Sequence, residues 1–191
     1  MSKSDLSQPN ISEQLCNCLE PCSKVVVGRG NPSAHLMLVG EAPGAKEELL
    51  GKPFVGRSGK VLDNLLEVVG IDHQKDIYIC NVMKSRPPNN RRPTRAEIAK
   101  HLPWLVHQIK LVKPFVIVLA GATALETFLE IKTKITVLRG TWQNWRGIAV
   151  MPIFHPSYLL RNPSNAKGSP LELTRSDLFE VRKRMETYQI L

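Results

Sequence analysis

The stretch "HLMLVGEAPGAKEELLGKPFVGRSG", residues 35–59, decides how this chain is read. Its first six residues form an apolar run closing on glycine, the pattern of a buried strand. The glycine- and proline-rich segment that follows is too irregular for core and too ordered in composition for a linker. It carries Glu41, Glu47 and Glu48, with Asp63 just beyond, in a chain of formal net charge +9. After it, Val61, Leu62, Leu65, Leu66 and Val69 recur at helical spacing, with Ser58 as candidate cap and Gly70 past the end. Strand, glycine-rich loop and helix in this order read as one unit of a parallel α/β sheet, whose ligands sit at the carboxyl ends of the strands.

The pattern repeats outward. "DIYICN", 76–81, reads as a second strand, and its exit "VMKSRPPNNRRP", 82–93, must be loop because its prolines forbid helix or central strand. Thr94 and Glu97 form a capping box for a helix running towards Lys110, with a kink expected at Pro103. "KPFVIVLAG", 113–121, is a third strand backed by the short helix "ATALETFLEI", and "IAVMPIFHP", 148–156, is a fourth. A last helix covers Leu173 to Tyr188. The expected fold is a three-layer α/β/α sandwich with a central, mostly parallel four-stranded sheet. Residues 16–191 form its single domain, behind a mobile polar leader at 1–15.

Bulk properties narrow the function. With 191 residues, 42% hydrophobic and 23% charged, the chain fits one ordinary globular domain. No apolar run is long enough to cross a bilayer, and "MSKSDLSQPNISEQ" lacks the apolar core of a secretory signal. A cytoplasmic protein without a membrane partner is expected. Lys and Arg total 26 against 17 for Asp and Glu, an excess that suits a polyanionic partner. The distribution sharpens this. Ile131 to Leu171 holds no acid but contains Lys134, Arg139, Arg146 and Arg161, and "KSRPPNNRRPTR", 84–95, is a second basic run. A nucleic-acid track explains two such loops better than two solvated faces do. Cys80, in "IYIC", reads as a buried thiol, whereas Cys16, Cys18 and Cys22 suggest metal binding or free thiols rather than disulfides.

Three loops carry the chemistry. In the first, the spacing of a phosphate-binding loop is absent, and acids beside a phosphate would repel it. "GRG", 28–30, is too short a signal for dinucleotide binding. Carboxylates suit a water, a proton or a developing cation instead. Phe54, after Pro53, either stacks on a planar ring or folds back into the core. Asn81, at a strand exit, can read a pyrimidine edge or simply close a turn. His155 is held by Pro156, with Ser157 and Arg161 following on a basic, partly apolar tip suited to a wedge into a duplex.

"GEAPGAKEELLGKPFVGRSG", "NVMKSRPPNNRRPTRAEI" and "HPSYLLR" resemble, in order and at similar spacing, the motifs of the family 4 uracil-DNA glycosylases of the uracil-DNA glycosylase superfamily. The resemblance runs from about Cys16 onward. It implies a monofunctional base-excision repair glycosylase that flips uracil out of single- or double-stranded DNA, hydrolyses its N-glycosidic bond and leaves an abasic site. The alternatives are a glycosylase for another base, such as hypoxanthine or mismatched thymine, and an inactive DNA-binding relative. Under this resemblance Glu41 and His155 are catalytic, and Gly40, Glu41, Ala42, Phe54, Asn81 and His155 bind uracil. Glu47 braces the loop, while Lys84, Arg86, Arg91, Arg92, Ser157 and Arg161 hold DNA. The chain is expected to act as a monomer.

The family's members hold a four-iron four-sulfur cluster on four cysteines, and here the sequence departs. Ser85 and His101 stand in two of the cysteine places, and Cys16-x-Cys18 replaces a C-x-x-C pair, with Cys22 extra. Serine is a poor iron ligand and histidine an occasional one, so no cofactor is expected. Were a cluster held, Cys16, Cys18, Cys22 and His101 would supply it.

Overall fold

The computed structural model describes residues 24–130 and 133–188. The four expected strands are present as β2 (Leu36–Gly40), β3 (Ile77–Asn81), β4 (Val116–Ala120) and β6 (Ile148–Ile153), all parallel where they pair. The sheet nevertheless has six strands, in the order β1-β3-β2-β4-β6-β5. The four-stranded expectation is corrected by β1 (Arg29–Gly30) and β5 (Gln143–Trp145), which add antiparallel to the two edges. At two and three residues they are too short to leave a periodic signal in sequence.

Strand alternation divides the core into two layers. Leu36, Leu38, Ile77, Ile79 and Val118 face one layer, packed on α2 (Arg57–Val68) and α7 (Pro170–Thr187). Met37, Val39, Cys80, Ile117 and Leu119 face the other, packed on α3 (Arg95–Val112) and α4 (Ala122–Leu129). Cys80 is a fully buried thiol, as its apolar run implied. Every β2, β3 and β4 residue is buried, which explains why these strands read as continuous apolar runs.

The helices differ from the sequence reading in detail. The acidic loop contains a short helix, α1 (Ala45–Leu50), flanked by glycines at both ends. Gly56, not Ser58, caps α2, so Ser58 already lies inside the first turn. The Thr94–Glu97 capping box forms as expected, but α3 is continuous through Pro103, whose side chain is exposed. Two more short helices, α5 (Ile135–Leu138) and α6 (Pro156–Arg161), precede α7, which starts at Pro170 rather than Leu173. The leader and the cysteines at 16, 18 and 22 lie outside the described residues.

Candidate active site

The carboxyl ends of β2, β3 and β6 converge on a pocket of ≈ 190 Å³ lined by Glu41, Ala42, Glu47, Phe54, Asn81 and His155, among others. Gly40 lies directly behind the Phe54 and Asn81 side chains of that wall. Its role is steric. A Cβ there would run into the Phe54 ring and come within 2.5 Å of Asn81 Oδ1, so glycine leaves room for both.

The three acids of the opening stretch and Asp63 beyond it separate into different tasks. Asp63 pairs with Arg29, which also donates to Pro53 O at 2.9 Å and so anchors the start of the Phe54 turn. Glu48 pairs with Arg86 at 3.3 Å. Buried Glu47 accepts from the backbone N–H groups of Val55 (3.0 Å) and Gly56 (2.7 Å), tying α1 to the residues after Phe54. Glu41, partly exposed at the pocket, accepts from the hydroxyl of Thr123, a buried residue in the first turn of α4. Sequence reasoning missed Thr123. Its only signal was a hydroxyl directly behind the Gly121 that ends the β4 run.

Phe54 folds back into the core and at the same time reaches the pocket. It is 5% exposed and belongs to the core cluster, yet its ring also forms a pocket wall, tilted on His155 with centroids 5.7 Å apart. Its φ of 52° is left-handed, a conformation that costs a non-glycine residue energy and persists only when the surroundings hold it. Those surroundings are the Glu47 carboxylate and the close approach of the Phe54 carbonyl to Gly59, where a Cβ would overlap it.

Asn81 ends β3 with 2% exposure, and its Oδ1 is buried without a hydrogen-bond partner among the described residues. A buried carbonyl of this kind costs about 1–3 kcal/mol if left unpaired. Asn81 is one of the residues lining the pocket. His155 caps α6, its Nδ1 accepting from Ser157 N–H at 3.1 Å with Ser157 Oγ at 2.8 Å. A backbone N–H can only donate, so in the neutral ring the proton sits on Nε2. Burial first, and then the charge of Arg161, push the His155 pKa down to about 4. At neutral pH it is an uncharged hydrogen-bond donor at the pocket.

The basic residues are less available than the sequence suggested. Lys84 is fully buried, which corrects its reading as a phosphate contact. Arg139 is tied to Asp177 in a largely buried pair, so it too leaves the basic track. Arg91 and Arg92 hold Glu97 at 2.6 Å and Glu126 at 2.7 Å. Such exposed pairs are worth about 0–1 kcal/mol, so a phosphate can replace either carboxylate at little cost. Arg161 is exposed on α6, beyond Tyr158 and Leu160, which are each 37% exposed at the tip.

The family model described as Uracil DNA glycosylase superfamily matches residues 27–179. Over 163 residues, 84% of this chain and 81% of the relative, the sequence is 48% identical to a type-4 uracil-DNA glycosylase of Thermotoga maritima. The chain belongs to the type-4 uracil-DNA glycosylases. A type-4 enzyme of Archaeoglobus fulgidus is 36% identical over 170 residues, covering 85% of both chains. One of Saccharolobus solfataricus is 38% identical over 159 residues, 78% of this chain and 73% of that one.

The cluster that the resemblance implies does not fit two of its four positions in this type-4 chain. Ser85 Oγ and His101 Nε2 lie 3.4 Å apart, both residues buried, and His101 Nδ1 accepts from Lys84 N–H at 3.2 Å. The ring is thus engaged at both nitrogens. Burial, followed by the charge of Lys84, lowers the His101 pKa to about 4. Among the described residues no three His, Cys, Asp or Glu side chains converge to hold a metal ion.

Proposed function

We propose that this chain removes uracil from single- and double-stranded DNA by flipping the nucleotide, hydrolysing its N-glycosidic bond and leaving an abasic site. The observation that carries the reading is the buried Oδ1 of Asn81, unpartnered among the described residues, on a residue that lines the pocket together with Phe54 and His155. Uracil presents a donor, N3–H, beside an acceptor, O4, and a carboxamide matches that pair with one acceptor and one donor.

Each wall then has a task. Phe54 stacks on the base, worth about 1–3 kcal/mol, against an extrusion cost of a few kcal/mol that is least at a weak U:G mismatch. Arg91 and Arg92, with Arg86, Ser157 and Arg161 at the rim, supply phosphate contacts that make up the difference. Tyr158 and Leu160 occupy the gap left in the duplex. As the glycosidic bond lengthens, negative charge gathers on uracil O2 and positive charge on the sugar. His155 Nε2–H donates to the former, and its neutral state avoids moving a proton during the step. Glu41, held by Thr123, orders the attacking water or balances the oxocarbenium-like sugar. Glu47 stays a brace. No step passes through a metal or cluster, and the chain works without one.

Incubation of the full chain with uracil-containing oligonucleotides, then alkali, should reveal strand breaks at uracil with no metal added. Protein purified anaerobically should carry far less than stoichiometric iron and sulfide. A folded sample that binds such DNA but leaves it uncut would make the inactive relative the better reading, and stoichiometric iron lost together with activity would restore the cluster.

The histidines give a pH test. His155 and His101 are both near 4 in the folded protein, against about 6.5 for a free histidine. Between pH 6.5 and 4 the unfolded chain therefore takes up protons that these two folded side chains refuse, and stability falls as pH falls through that window. His155 itself stays neutral down to near 5. Its contribution to single-turnover excision should then be constant from pH 8 to 5, while Tm already declines. A rate that halves near pH 6.5, tracking an ordinary histidine, would contradict the neutral-donor role.

A further inference from the structure

Lys84 lies in the basic loop, yet it is among the largest fully buried side chains of the fold. Among the described residues its ammonium forms no ion pair. Nζ instead donates to the backbone carbonyl of Asn81 at 2.5 Å, beside the buried Cys80 thiol. The Lys84 main chain is fixed from both directions. Its N–H donates to His101 Nδ1 at 3.2 Å, and its carbonyl accepts from Val26 N–H at 2.7 Å.

The place of that contact matters. The two-residue β1 covers β3 only at Tyr78 and Ile79 and stops short of Asn81. On the other side β2 pairs β3 as far as Gly40 and Asn81, and Val82 N–H then reaches Gly40 O at 2.9 Å. The last residue of β3 is therefore braced by a strand on one side alone. A buried ammonium facing a carbonyl and a thiol, with no carboxylate, is an expensive way to gain stability. A neutral side chain of the same length would fill the space at less cost, so the group is better explained by what it holds.

We propose that Lys84 is a positioning residue of the base pocket. It straps the open side of the β3 terminus through the Asn81 carbonyl, and thereby holds the Asn81 carboxamide where its unpartnered Oδ1 meets the base. His101, on α3, anchors the strap, with Ser85 Oγ 3.4 Å from its Nε2. The inference rests on Asn81 being the group that reads uracil.

The test is a double-mutant cycle of Lys84→Met and Asn81→Ala, read by single-turnover excision and by inhibition with free uracil. Lys84→Met alone should slow excision about 10- to 100-fold and weaken free-uracil inhibition in parallel, the size expected for one lost buried hydrogen bond acting at the site. In the Asn81→Ala background it should change either by no more than about twofold, because the group it positions is gone. Affinity for abasic-site DNA should stay at the wild-type value, which a general packing defect would not allow. Lys84→Gln, which keeps a donor on a shorter stem, should fall between. Equal losses in both backgrounds would overturn the proposal, as would failure of both Lys84 variants to fold. A slow Asn81→Ala beside a wild-type-like Lys84→Met would remove the role of Lys84 alone. Wild-type excision by Asn81→Ala would remove the base-reading role and the strap together.

Discussion

His155→Ala should lower single-turnover uracil excision about 10²–10³-fold, the typical cost of removing one donor aimed at a developing oxyanion. Two features of the free protein set this size. The ring is neutral at working pH, and its proton is placed on Nε2 because Nδ1 is occupied by Ser157 N–H. The substitution also removes an N-cap and a neighbour of Phe54, so a stability cost of about 0.5–2 kcal/mol comes with it. His155→Ser separates the two effects. Serine caps helices well but cannot reach the base, so it should recover Tm while the rate stays low. Affinity for an abasic-site duplex should change little in either variant. Near-normal single-turnover rates in both would remove His155 from the chemistry.

Gly59→Ala should destabilise the protein by about 3 kcal/mol or more, at the upper end of what overpacking costs. The sign is the point of interest. Helix propensity alone says that alanine in place of a helical glycine should gain up to about 1 kcal/mol. Here the added methyl would overlap the backbone carbonyl of Phe54, which has no rotamer to move to. Either α2 shifts away from the pocket or Phe54 leaves its left-handed conformation, and both spoil the stacking wall. For a domain of this size the loss corresponds to roughly 6–12 °C in Tm. Excision should fall with it even at temperatures where the variant stays folded. A Tm equal to or above wild type would mean that the Phe54 turn is held elsewhere, with Glu47 the next candidate.

The sequence by itself settled the parallel α/β core, because strands buried on both faces leave uninterrupted apolar runs such as "HLMLV" and "FVIVLA" that no solvent-facing element would tolerate. It also marked Glu41, Phe54, Asn81 and His155, since polar or aromatic residues stood at strand exits where such sheets bind ligands, and three motifs in register tied them together. Tertiary structure decided what local pattern cannot carry. Lys84 sits in a run of cations and reads as surface, yet the turn after β3 folds it under Asn81, and only packing across the sheet reveals that. Arg139 is likewise claimed by Asp177, 38 residues away. Thr123 reaches Glu41 across 82 residues, and the partners that Glu47 braces, the N–H groups of Val55 and Gly56, appear only in the folded loop. Hydrophobic period and turn chemistry are local, so they are written along the chain. The partner that a charge or hydroxyl finds depends on which strand ends meet, and that is fixed only when the sheet closes.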